Sequence, residues 1–180
     1  MAEPVRIKEI PENELSAEQA KVFKDLVAGR GRLLTPYKIW IHSPRLAAAL
    51  ETIGTFLNKG SSLTEREVEL TICIIANHWK GDYVWTVHVR MCRDLGFAQS
   101  VFDAIQAGQP PVLDNERERA VYELATIAMQ PGGGSDEVFA SAEKLLGRSG
   151  IAEVVALLGY YSSVVMGMKL HRVPVPAAAK

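Results

Sequence analysis

Apolar positions along the chain recur at helical intervals, and no segment alternates with period two between turn signals. Val22, Phe23, Leu26 and Val27 form a stripe over residues 17–28, with Ser16 as N-cap and Gly29 and Gly31 as stops. Residues 33–42, L-L-T-P-Y-K-I-W-I-H, read as a short apolar and aromatic loop. Ser43-Pro44 starts a second helix over residues 45–58, with Leu46, Leu50, Ile53 and Leu57 on one face and Gly60 at its end. Thr64-Glu65-Arg66-Glu67 is a capping box that opens a third helix to about Lys80. Gly81 stops it, and Asp82 caps a fourth helix that runs to Leu95.

The second half repeats this grammar. Residues 99–107 form a short helix, Pro110-Pro111 a rigid linker, and Asp114 caps a helix to Met129 with Ala120, Val121, Leu124, Ile127 and Ala128 inward. The run Pro131 to Gly134 breaks the chain, Ser135 caps a helix stopped by Gly147, and a last helix covers residues 151–170. The expected class is all-α, a bundle of roughly eight helices. The expected division is an arm and first helix over residues 1–32, one helical domain over 33–176, and a Pro-stiffened tail over 177–180.

Composition narrows the function. A formal net charge of -1 points to neither nucleic acid nor an anionic membrane surface. The apolar run 151–168 sits at the lower length limit for a membrane span and reads better as a buried or subunit-facing helix. Cys73 and Cys92 have neither C-x-x-C nor zinc-site spacing, which suits a reducing compartment. With no apolar leader-like segment at the N-terminus, the expected location is cytoplasmic.

The candidate chemistry gathers between Glu69 and Leu95. Glu69 stands beside an apolar stripe, where a carboxylate loses solvation unless something hydrogen-bonds it. It suits either an acid–base role or a helix-edge position in water, where Glu65 and Glu67 are placed. His88 shares a helix face with Val84, Trp85 and Cys92, and reads as a site residue or a satisfied core histidine. His78 is about half a turn out of phase with Glu69 and is placed in a loop or interface. Tyr37, Trp40 and His42 lie in the aromatic segment, which either covers a pocket or fills the core. Cys73 reads as a buried hydrophobe, Cys92 as a thiol too far along its helix to be activated, and His171 as a C-terminal cap. Gly159, Ser163 and Gly167 form a small-residue stripe suited to helix packing or a subunit surface.

Glu69-Leu70, followed by Tyr83-x-Trp85-x-x-His88, resembles the carboxymuconolactone decarboxylase family of the alkylhydroperoxidase D-like superfamily. The flanks P-Y-K-I-W-I-H-S-P-R-L-A and G-Y-Y-S-S-V-V-M-G-M-K-L-H-R-V-P-V-P extend that resemblance over residues 33–176. Redox members carry C-x-x-C four residues before the histidine; here those positions hold Gly81 and Val84. Decarboxylase-like members usually read Y-E-W where this chain reads Y-V-W.

The resemblance implies an alkylhydroperoxidase D-like helical bundle and a cofactor-independent lyase acting on a small carboxylated lactone or related metabolite. His88, Glu69 and Tyr83 would carry the catalysis, with Trp85, Val84, Trp40, Tyr37 and His42 against the substrate. It further implies a homo-oligomer, trimer or hexamer, with no metal, organic cofactor, nucleic acid or membrane partner. The alternatives it leaves are a peroxidase-like activity, disfavoured by the missing C-x-x-C, and a non-catalytic ligand-binding homologue.

Overall fold

The computed structural model describes residues 4–30 and 33–176. After a 3-10 turn at Glu12–Glu14 come α1 (Ala17–Arg30), α2 (Thr35–Trp40), α3 (Pro44–Thr55), a π-helical turn (Phe56–Gly60), α4 (Glu65–His78), α5 (Asp82–Asp94), α6 (Gln99–Gln106), α7 (Glu116–Ala128) and α8 (Asp136–Leu170). Among the described residues there is no strand. The tail 177–180 and the expected helix stop at Gly31 fall outside the described residues.

α4 is the axis of the bundle. Its residues from Glu67 to Ala76 are all buried, and α5, α7 and α8 pack around it. The capping box is present in full: Thr64 Oγ1 accepts from Glu67 N, and Glu67 Oε2 accepts from Thr64 N. α8 passes the length and composition test for a membrane span, but Val154, Leu157, Tyr161, Val164 and Val165 along it are buried within the bundle. Gly147, at φ 72° and ψ 172°, breaks α8 where the sequence places a stop.

Several local expectations are corrected. The aromatic segment 33–42 forms α2 rather than a loop, with Pro36 in its first turn and Tyr37 and Trp40 buried. Asp82 is the first residue of α5, not its cap; Gly81 holds the N-cap position. The α7 cap is Asn115 rather than Asp114, and Asn115 Oδ1 accepts from Arg117 N at 2.8 Å. Leu46 and Ile53 remain 47% and 46% exposed, because α3 turns Ala47, Gly54 and the following Leu57 inward instead. Ala128 is exposed at the end of α7. The small-residue stripe makes no tight crossing at Gly159, where an added Cβ would meet nothing within 4 Å.

Glu67 is the largest departure. It is buried at 1% exposure, not solvated. Arg117 on α7 reaches it with Nε at 2.7 Å and Nη2 at 3.1 Å. One residue earlier the polarity reverses. Arg66 on α4 donates to the buried Glu118 on α7, Nε at 2.6 Å and Nη2 at 3.1 Å. Each guanidinium also donates to a backbone carbonyl, Arg117 to Leu145 and Arg66 to Leu95. The hydrogen bonds they donate to Glu118 and Glu67 hold both guanidiniums more firmly protonated than usual.

Candidate active site

Glu69 and His88 meet between α4 and α5. Glu69 is 3% exposed, and its Oε2 lies 2.6 Å from His88 Nδ1. An ionised carboxylate only accepts, so Nδ1 carries the hydrogen and donates it to Glu69. Nε2, at the opposite corner of the ring, then has a free lone pair in the neutral imidazole and a proton to give in the cation. The His88 side chain keeps 14% exposure, on the wall of an open cleft of about 1050 Å³.

α2, α5, α8 and the π-helical turn shape that cleft. Tyr37, Tyr83, Val84, Trp85, Tyr161 and Met168 are among its lining residues. Among the described residues Glu69 is its only acidic lining residue, and Lys38, Arg90 and Arg93 are its permanent cations. A smaller cavity of about 450 Å³ lies beside the N-terminal arm and is lined by no histidine or cysteine.

The remaining expected site residues divide. Val84 is buried, and Trp85 stands edge-on to Phe102 with centroids 6.2 Å apart. The Tyr83 hydroxyl shares a hydrogen bond with Thr35 Oγ1 at 3.0 Å; Glu69 reaches His88 directly, not through Tyr83. Trp40 does not line the cleft. It packs edge-on behind the wall against Tyr37 and Tyr160, at 5.2 and 5.9 Å. His42 is exposed, its Nε2 2.7 Å from the Lys8 carbonyl, because α2 turns it toward the N-terminal arm. His78 is exposed beyond the α4 side of the hairpin.

The tandem Tyr160-Tyr161 on α8 was not singled out by residue type. The Tyr161 ring stands edge-on to His88, centroids 5.5 Å apart, and its hydroxyl donates to Asn58 Oδ1 at 3.1 Å. The only signal in the sequence was two adjacent tyrosines in the flanking segment. Asn58 gave none, because its partner lies over a hundred residues away. One helical turn beyond the Glu69–His88 pair, Cys73 and Cys92 face each other with sulfurs 3.7 Å apart, both fully buried. The hydrogen bond with Cys92 and burial push the Cys73 thiol well above its ordinary range.

Gly81 holds the first position at which redox members of the resembled superfamily carry cysteine. A Cβ there would stand 2.5 Å from Val165 Cγ1. Among the described residues no group of three or more His, Cys, Asp or Glu side chains is placed to hold a metal ion.

No protein-family model matches the chain, and neither does any curated protein sequence. Solved structures do. A peroxidase-related protein from Silicibacter sp. TM1040 aligns over 98% of this chain and 94% of its own, at TM-score 0.73 and 16% identity. The alkylhydroperoxidase AhpD core of a peroxidase-related protein from Ralstonia eutropha JMP134 aligns over 97% and 94%, at 0.71 and 14%. The fold is alkylhydroperoxidase D-like. A debrominase, solved in complex with 2,3,4-tribromopyrrole, shares it over 96% of this chain and 92% of its own, at TM-score 0.70 and 15% identity. Proteins of this fold thus include a named enzyme beside peroxidase-related ones.

Proposed function

We propose that the protein is a cofactor-independent carboxy-lyase acting on a small carboxylated lactone or a related metabolite. The observation that supports this reading is the 2.6 Å contact between buried Glu69 and His88 on the wall of the cleft. Loss of CO2 from a carboxylate leaves its electron pair on carbon as a carbanion or enolate. The His88 cation donates its Nε2 proton to that carbon, and the neutral imidazole regains a proton from solvent. Glu69 stabilises the cation and fixes the tautomer through Nδ1. Tyr37, Val84 and Trp85 offer the departing carboxylate a poorly hydrated wall, which favours the step that disperses its charge. In a panel of carboxylated lactones assayed for CO2 release, His88→Ala should lower turnover about 10²- to 10⁴-fold. Unchanged turnover would sink the assignment.

A second reading, thiol-dependent hydroperoxide reduction, draws on the 3.7 Å approach of Cys73 and Cys92. Two thiols and one hydroperoxide would give a disulfide, an alcohol and water. The burial and raised thiol range of Cys73 weigh against it, since the thiolate is the attacking form. With a dithiol reductant present, hydroperoxide consumption should stay at background and be unaffected by Cys73→Ser or Cys92→Ser. Consumption lost with either serine would establish the thiol reading.

A further inference from the structure

A single hydrogen bond does not fix an imidazole ring. Held at Nδ1 by Glu69 and at Cβ by its own chain, the ring can still tilt about the line between those two points, and Nε2 moves with it. Three connected features outside the Glu69–His88 pair bear on that freedom.

The first is the Tyr161 ring. α5 packs chiefly on α4 and touches α8 sparsely. Tyr161, on α8, nevertheless stands nearly perpendicular to the His88 ring, at 85° and 5.5 Å between centroids. An edge-to-face contact of this kind has a preferred ring orientation as well as a preferred distance. It constrains the one motion that the Glu69 bond leaves open.

The second is Asn58. Its Nδ2 donates to the Gly54 carbonyl at 2.7 Å, which leaves Oδ1 to accept from the Tyr161 hydroxyl at 3.1 Å. Both ends of the amide are thereby committed, so the tyrosine ring is held at its far end as well as at its α-carbon.

The third is the backbone that carries Asn58. Phe56–Gly60 is a π-helical turn directly following α3, and such turns recur at functional sites. It buries Leu57 while Asn58 lines the cleft. Gly54, one turn earlier, has no side chain, and a Cβ there would run into the Tyr160 hydroxyl. The end of α3 is therefore shaped around the Tyr160-Tyr161 pair.

We infer that Tyr161 and Asn58 are positioning residues: Asn58, on the π-helical turn, anchors Tyr161, whose ring sets the plane of His88 and so the direction of Nε2. The inference rests on His88 being the working acid–base of the proposed reaction. Its test needs no substrate, so the two fail separately.

The measurement is the pair of imidazole nitrogen shifts of His88 in protein labelled with ¹⁵N-histidine, assigned by the signal lost in His88→Gln. In the native protein each nitrogen should give one sharp signal, as for a single ring orientation. Tyr161→Leu should broaden or split both signals by letting the ring sample more than one orientation while Nδ1 stays at Glu69. Tyr161→Phe keeps the ring and loses the anchor, so it should give a smaller change. Asn58→Ala should reproduce that smaller change, and the double variant should add nothing to it, because both remove the same bond. Tyr161→Phe and Asn58→Ala leave the core filled, so the test survives a failure of Tyr161→Leu to fold. His88 nitrogens unchanged in both of these variants would overturn the inference. So would effects of the two that simply add.

Discussion

Glu67 and Glu69 sit two residues apart on α4, and burial treats them alike; their partners differ. Glu67 accepts two hydrogen bonds from a guanidinium and one from the Thr64 backbone. Every one of those donors is permanently in place, because arginine does not deprotonate in proteins. Glu69 faces the opposite side of the helix and is matched to an imidazole that can both take and give a proton and still has a cleft beside it. The α4–α7 seam is finished: two ion pairs of opposite direction, each closed by a backbone carbonyl. The α4–α5 pair leaves one ring nitrogen uncommitted. A buried carboxylate is therefore informative about chemistry only through what its partner can still do.

Removing each partner in turn is the sharpest way to break this contrast. Arg117→Ala leaves Glu67 buried without a counter-charge and should cost about 3 kcal/mol in unfolding free energy, read from urea titrations. His88→Gln leaves Glu69 beside an open cleft and a polar neighbour and should cost about 1 kcal/mol or less. Equal losses would mean that Glu69 is as structural as Glu67.

A smaller effect is expected at the turn that joins the two arms. Gly81→Ala forces the buried Val165 of α8 aside and should cost about 1–2 kcal/mol. Combined with Val165→Ala, the loss should fall short of the sum of the single variants, because the two side chains compete for one space. Strict additivity would show that Gly81 is needed for its backbone and not for its lack of a side chain.

Legibility in the sequence followed the range of the interaction. The Thr64 box, the Ser135 cap and the break at Gly147 are local, and all are where the residues place them. The Glu69–His88 contact joins neighbouring helices of one hairpin; helical phase left both residues open between site and structural roles, and the family resemblance assigned them to the site. Glu67 was misplaced because its burial depends on Arg117, fifty residues on, while its local surroundings are charged. Trp40 and His42 were drawn toward the cleft by the aromatic character of their segment and by the family resemblance. A short helix in place of a loop rotates one behind the wall and the other out to the arm. Asn58 had no local signal and Tyr161 only its tandem neighbour, since their meaning lies in a hydrogen bond between α8 and a π-helical turn.

The occupied space beside Gly81 bears on which sequences lie within reach of this one. A cysteine at position 81 would bring the same Cβ that Val165 excludes, so the single change toward a C-x-x-C pair passes through a strained protein. Position 84 is also buried, which leaves a sulfur there little access to solvent. The shorter path shrinks residue 165 first, a change with no redox benefit of its own. Packing at one glycine thus acts as a ratchet. It separates this chain from the C-x-x-C members of the superfamily it resembles by an ordered set of substitutions, not by one.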